Sequence, residues 1–322
     1  MDIAISFDKN YLMPAGVMLT SLFENNKDTD IHIHVMYNGG GEAFVSPIAD
    51  IVRKYNGRIT CYDMSKYNTL SLPVNLPGQR EDIPLESYFR LFLPDVLSPE
   101  IEKVLWLDCD IIVAHSLKDL WNEDISDYGL GSIPDFEHNN VLNMNRLEYD
   151  ATYGYFNDGV LLINLKYWRE KKMIPVFLNY IHDHYYELHF HDQDVLNHFF
   201  HQSKKVLSLN YNFQTTFLFK KEFRNISWKF FSQIDKYYKD PCVIHYTNEK
   251  PWFSDTTSPK KDIFIHYQDM TVWKGVVLKK KKTLKQKMKT WVAFHMLVPL
   301  YLFIRYKKTY REEFPYDAKY LN

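Results

Sequence analysis

The first sixty-odd residues alternate in a pattern that few folds accept. Asp2 to Phe7 is a short apolar run, Tyr11 to Glu24 carries apolar residues at helical spacing, and Ile31 to Tyr37 (IHIHVMY) alternates with period two. Ala43 to Tyr55 reads as a second helix and Arg58 to Asp63 as a third strand. A βαβαβ series this compact predicts parallel strands joined by crossover helices, one half of a doubly wound, mostly parallel α/β sheet. Lys103 to Leu107, Gly159 to Leu165 and Val243 to Tyr246 are predicted to add strands, each ending beside polar residues. Open sheets of this kind bind ligands outside the carboxyl ends of their strands, so the search for chemistry belongs there.

Several chemistries are excluded by what those strand ends lack. The chain has no G-x-G-x-x-G and no G-x-x-x-x-G-K-[ST], and its glycine cluster, Gly39 to Gly41, follows the second strand and reads as a turn. With only 11 glycines, backbone amides cannot dominate phosphate binding, so a bound phosphate would need a metal. The absence of G-x-S-x-G and H-E-x-x-H weighs against an α/β-hydrolase and a zinc protease. Three separated cysteines, Cys61, Cys109 and Cys242, form neither a disulfide framework nor a thiolate zinc site, and point to a reducing compartment. No signal peptide is visible at the start, which predicts a cytoplasmic protein. Tyr and Phe, 24 and 22 of them, are too many for the core alone and predict aromatic, sugar-facing surface.

Charge divides the chain in two. Between Lys274 and Arg311 lie twelve Lys/Arg and no acidic residue, while all 40 Asp/Glu lie elsewhere with 27 of the 39 basic side chains. This separates a body, residues 1–270, from a basic, aromatic tail, residues 271–322. Within the tail, Trp291 to Ile304 is fourteen residues long, short of the roughly 20 a membrane-spanning helix needs. Leu284, Met288 and Trp291 fall at i, i+4 and i+7, the pattern of an interfacial helix, and its lysines suit an anionic membrane surface at the cytoplasmic face. The basic residues border an aliphatic run instead of interleaving with polar stacking positions, so nucleic acid is not the expected partner.

The residues with catalytic potential cluster around Lys103 to Val113 (KVLWLDCDIIV). Asp-x-Asp occurs three times, at Asp28/Asp30, Asp108/Asp110 and Asp192/Asp194, but only Asp108 and Asp110 emerge directly from an apolar strand. Carboxylates at such a place are costly unless compensated, and a divalent cation is the simplest compensation. Two aspartates and an imidazole suit Mn²⁺ or Mg²⁺. His245, in the apolar strand Val243 to Tyr246 that opens HYTNEKPW, is the candidate imidazole, and Lys250 adds a cation near the same strand end. His182 to His191 (HDHYYELHFH) offers a weaker zinc reading. A metal-dependent phosphohydrolase would use the same Asp-x-Asp, but would need further ligands for a second metal.

FDKN, SYFRLFLPDVL, VLWLDCDIIV, YFNDGVLLINLKYW, HDQDVLN and IHYTNEKPW occur in an order and spacing that resemble the family 8 retaining glycosyltransferases, over roughly residues 1–252. The resemblance implies the GT-A fold, a nucleotide-sugar-binding α/β/α domain, and a UDP-hexose donor. It implies that Asp108, Asp110 and His245 hold Mn²⁺ against the donor diphosphate and that Asp8 and Asn10 contact uridine, although alone those two read as a helix-capping turn. Arg90 would meet donor phosphate or sugar, Asn157 and Asp192 the sugar hydroxyls, and Gln193 the underside of the anomeric carbon. Lys250 would neutralise the departing β-phosphate, and Asp135 would contact the acceptor, a glycan or lipid-linked saccharide of cell-surface polysaccharide or lipopolysaccharide synthesis. The chain departs from the family pattern twice. His245 and Lys250 are five apart where H-x-x-G-x-x-K-P-W has six, and Asp158 stands where a small residue is common. The first departure favours, as the alternative, a UDP-sugar-binding protein weakened in catalysis. Because Gln193 is an amide and a poor nucleophile, the expected mechanism is same-face substitution without a covalent sugar.

Overall fold

The computed structural model describes residues 1–67, 72, 84–135, 141–218, 233–234, 236–247, 249–254, 256–279 and 296, with side chains omitted at 217 and 218. The opening series forms as its periodicity predicts: β1 (Asp2–Ser6), α1 (Leu12–Glu24), β2 (His32–Tyr37), α2 (Gly41–Lys54) and β3 (Arg58–Asp63). They are followed by β4 (Lys103–Leu107), β5 (Ile111–Val113), β6 (Leu130–Pro134), β7 (Phe156–Asn164), β8 (Lys204–Val206), β9 (Phe213–Gln214) and β10 (Val243–His245). Seven strands make the central sheet in the order β3-β2-β1-β4-β7-β6-β8, and β5-β10-β9 make a small second sheet. The order reverses at β1, whose neighbours are β2 on one side and β4 on the other, so the crevice of a doubly wound sheet opens beside β4.

The sheet is mostly parallel, with one exception that builds the site. β7 is antiparallel to both β4 and β6, so its first residues lie at the edge where its neighbours end. It also starts at Phe156, ahead of the predicted Gly159, because Asn157 and Phe156 pair with Ile133 and Pro134 of β6. Asn157, Asp158 and Gly159 are therefore held on a strand beside Asp108, whose amide donates to the Gly159 carbonyl at 2.9 Å.

Both faces of the sheet are covered. α1 is apolar around its circumference because it lies between the sheet and the helix Lys261–Gln268, and every residue from Met13 to Phe23 is buried. On the opposite face, Trp106, Trp168, Phe177 and Phe200 form an aromatic layer, with Trp168 stacked on Phe200 at 5.1 Å and its indole N–H donating to Gly129 O at 2.8 Å. Fully burying each such side chain contributes roughly 1.5–3 kcal/mol. Arg169 gathers the carbonyls of Pro94, Leu97, Ser98, Pro99 and Ile101, which fixes the approach to β4.

The chain stays on this body to Leu278. Trp273 packs so closely on α1 that a Cβ at Gly16 would lie 2.2 Å from its ring, and Leu278 exchanges backbone hydrogen bonds with Trp252 and Ser254. The tail from Lys280, apart from residue 296 and including Leu284, Met288 and Trp291, lies outside the described residues, as does Asn248. Among the described residues, no helix is long and apolar enough to cross a membrane.

Candidate active site

β4 ends at Leu107, and the chain turns through Asp108-Cys109-Asp110 into β5. β10 pairs with β5 so that His245 lies opposite Ile111, and the Tyr246 amide donates to Asp110 O at 2.9 Å. Asp108, Asp110 and His245 thereby converge, each offering a ligand atom within 4.8 Å of the others, with His245 Nε2 at 3.2 Å from Asp110 Oδ1. A glycine is required opposite them. A Cβ at Gly159 would lie 2.3 Å from His245 Cε1 and 3.0 Å from Asp108 Oδ2. The imidazole is also oriented for ligation: Asn212 donates through Nδ2 to Asn157 Oδ1 at 2.7 Å, so its Oδ1 faces His245 Nδ1 at 2.9 Å and accepts that N–H. Nε2 then carries the lone pair turned toward Asp110. Two carboxylates, an oriented imidazole and a glycine-made cradle fit a divalent cation.

Lys250 completes this group. Its Nζ donates to Asp110 Oδ2 and to Tyr246 O, so the short spacing from His245 still brings the ammonium to the strand end. Burial pushes the Asp110 carboxyl up, but Lys250, joined by His245 when its ring is protonated, outweighs it and holds it well below the usual carboxylate range. Burial likewise opposes the charge of Lys250, and Asp110 more than restores it. Partial burial pushes the hydroxyl of half-buried Tyr11, beside the same groups, up to about 12.

Arg90 organises a second group. It lies on a 3₁₀ run, Leu85–Phe92, and it is buried at 4% exposure where a helix-surface arginine would be exposed. Its guanidinium meets Asp108 Oδ1 at 3.1 Å, Asp158 Oδ2 at 3.1 Å and Asp192 Oδ2 at 2.7 Å, and it lies 4.6 Å from the Trp106 ring. Burial disfavours the cation, but Asp158, Asp192 and Asp108 together hold its pKa above the ordinary value. Three acids around one base leave a surplus. Burial pushes the Asp158 carboxyl well up and that of Asp192 to about 6, against the pull of Arg90. Asp158 and Asp192 are also hydrogen-bonded to each other, so the two titrate as a pair that shares a proton.

Amides link the two groups. Asn157 Nδ2 donates to Asp135 Oδ2 and to Gln193 Oε1, both at 3.2 Å, and Gln193 Nε2 donates to Tyr155 Oη at 3.2 Å. Asp194 is committed elsewhere: Arg146 binds both its oxygens at 2.8 and 3.0 Å, Tyr155 Oη donates at 2.7 Å, and the amides of His189 and Phe190 complete the set.

Eight sequence candidates, Arg90, Asp108, Asp110, Asp135, Asn157, Asp192, Gln193 and His245, line one cavity of about 290 Å³. Lys250 touches it through Asp110. Asp8 and Asn10 do not line it; Asp8 accepts from the amides of Asn10 and Tyr11 and from Asn10 Nδ2, forming a turn just before α1. Sequence reasoning missed Gly159, for which a glycine inside a strand pattern was the available signal, and Asn212, which nothing in its neighbourhood announces. No three-ligand metal group forms among His182, His184, His189 and His191.

The family model described as glycosyl transferase family 8 matches residues 2–256. General stress protein A of Bacillus subtilis is 27% identical over 86% of this chain and 96% of its own length. A lipopolysaccharide 1,2-glucosyltransferase of Escherichia coli is 26% identical over 87% of this chain and 81% of its own. A crystal structure of the galactosyltransferase LgtC with donor and acceptor sugar analogues shares 26% identity and a TM-score of 0.73, covering 90% of this chain and 100% of that one.

Proposed function

The chain belongs to glycosyltransferase family 8, and from that premise we propose that it is a retaining hexosyltransferase. It moves galactose or glucose from a UDP-sugar to a glycan or lipid-linked saccharide in cell-surface polysaccharide or lipopolysaccharide synthesis. The observation that carries this reading is the convergence of Asp108, Asp110 and oriented His245 on the rim of a cavity lined by Arg90, Asn157, Asp192 and Gln193. The galactosyl and glucosyl activities named for the similar proteins support the choice of hexose.

In this reading Asp108, Asp110 and His245 hold Mn²⁺ or Mg²⁺, which supplies positive charge to the donor diphosphate. Asp8 and Asn10 contact uridine. Arg90 meets donor phosphate or sugar, Asn157 and Asp192 hold sugar hydroxyls, and Asp135 orients the acceptor. The bond from the anomeric carbon to the β-phosphate oxygen breaks with its electron pair remaining on the diphosphate, next to Lys250. The acceptor oxygen bonds to that carbon on the same face, and its proton passes to the departing diphosphate oxygen. Gln193 lies beneath the anomeric carbon and offers no carboxylate. Saturated hydrogen bonding at Asp194 and the hold of Arg90 on Asp192 support substitution without a glycosyl-enzyme. The phosphohydrolase reading lacks support, because the other metal-capable group among the described residues lies about one strand length away. The weakened-enzyme reading loses its argument where Lys250 reaches Asp110.

NMR-followed turnover of UDP-glucose and UDP-galactose, with and without Mn²⁺, tests the proposal without a known acceptor. Metal-dependent hydrolysis of one donor should appear and should fall by about 10²–10³-fold in Asp110→Asn. Unchanged turnover in that variant overturns the site. The basic tail is assigned to an anionic membrane at its cytoplasmic face. A chain ending at residue 279 should lose co-sedimentation with phosphatidylserine vesicles, and retained co-sedimentation overturns that role.

A further inference from the structure

A second convergence of metal-ligating side chains lies at the amino-terminal edge of the sheet, away from the pocket. β1 and β2 are parallel with Asp2 opposite His32 and Ala4 opposite His34, so the period of two places Asp2, His32 and His34 on one face. The carboxylate is shared between the rings: Asp2 Oδ1 lies 3.1 Å from His34 Nε2 and 3.5 Å from His32 Nδ1, and the ring centroids are 4.1 Å apart. Each residue offers a ligand atom within 4.8 Å of the other two.

The remaining ring nitrogens already have partners suited to ligating histidines. His32 Nε2 lies 2.8 Å from Thr60 Oγ1 and His34 Nδ1 lies 3.1 Å from Tyr62 Oη, both on β3. When each hydroxyl oxygen accepts the distal N–H, the proximal nitrogens present lone pairs to the space that Asp2 faces. His34 is buried, while the side chains of His32 and Asp2 are 17% and 27% exposed, so the cluster is preorganised yet reachable from solvent. Arg58 Nη1 approaches His32 Nδ1 at 3.5 Å, but its guanidinium is exposed and ion-paired with Asp30 at 3.0 Å.

We propose that Asp2, His32 and His34 bind a borderline divalent transition-metal ion, of which Zn²⁺ is the type, at a site separate from the catalytic pocket. The donor sets differ in kind. Two imidazoles and one carboxylate select Zn²⁺, Ni²⁺ or Cu²⁺, whereas the two carboxylates and one imidazole at Asp108, Asp110 and His245 admit the harder Mn²⁺ and Mg²⁺. A metal here ties β1 to β2 and stabilises the sheet by its binding free energy to the folded state.

The test is Zn²⁺ titration, by calorimetry, of the chelator-stripped full chain without an affinity tag, with Co²⁺ absorption as a spectroscopic readout of imidazole ligation. Asp2→Asn and His32→Gln, at the exposed members, should each weaken one equivalent of Zn²⁺ by at least about tenfold and remove its Co²⁺ bands. Thr60→Val, which deletes only the hydroxyl on His32 Nε2, should weaken the same equivalent by about tenfold. An Asp108→Asn/Asp110→Asn double variant should keep it, which separates this site from the fate of the catalytic one. Unchanged Zn²⁺ affinity and Co²⁺ bands in both Asp2→Asn and His32→Gln overturn the proposal, as does a wild-type chain whose sole Zn²⁺ equivalent disappears in the double variant.

Discussion

Arg90 faces three carboxylates, whereas Asp110 faces an ammonium and an imidazole, and the two groups share one cavity wall. In the first, acid exceeds base, so the carboxyls of Asp158 and Asp192 are both driven up. In the second, base balances acid, and Asp110 is held low as a carboxylate. Burial is similar in both, so the ratio of partners decides the protonation state. The Asp110 side of the pocket is suited to cations and the negative charge they carry in. The Arg90 side, with neutral acid and guanidinium together, is suited to hydroxyls that both donate and accept.

Breaking the comparison from the Arg90 side should have the largest effect. Arg90→Ala leaves three buried acids without their base and should lower stability by about 3–5 kcal/mol in urea denaturation. A loss below 1 kcal/mol would mean that water reaches these carboxylates freely. On the other side, Lys250→Met removes a competitor from Asp110 Oδ2. Metal affinity in the absence of donor should tighten by about tenfold while donor turnover falls, and equal weakening of both would show that Lys250 helps build the metal group. The smallest effect sharpens the contrast. A carboxyl raised in the folded state loses its stabilising contribution as pH climbs past the ordinary value near 4 toward its folded value. Asp158→Asn should therefore differ least from wild type near pH 4 and exceed its Tm by a margin that grows to a few degrees by pH 8, with Asp192 leaving a residual fall between about pH 4 and 6. A constant offset across that range would place the shared proton elsewhere.

Much of this was legible in the chain because the relevant signals are local. The βαβαβ series, the strand before Asp108 and the apolar strand at His245 each announce themselves by periodicity or by composition. Direction does not. GVLLINL reads the same whichever way the strand runs, so the reversal of β7, and with it the delivery of Asn157, Asp158 and Gly159 to the rim, had no sequence signature. β6 (LGSIP) is short and carries glycine and proline, and β5, β8 and β9 have two or three residues, too few for a period to show. The tie from His245 through Asn212 to Asn157 joins residues far apart in sequence, and the proton shared by Asp158 and Asp192 depends on burial that no spacing encodes.

The pairing of β10 with β5 carries a consequence in time. Val243 meets Val113, more than a hundred residues earlier, and both partners of Asp110 arrive on β10 or just after it. At synthesis rates of about 5–20 residues per second, Asp110 leaves the ribosome's decoding centre on the order of ten seconds before His245 is added. Until then the nascent chain holds an acid with no counterpart, and no truncated product ending before His245 can present the assembled pocket. Closing that long loop is a late, slow event that converts the earlier sheet into a working enzyme.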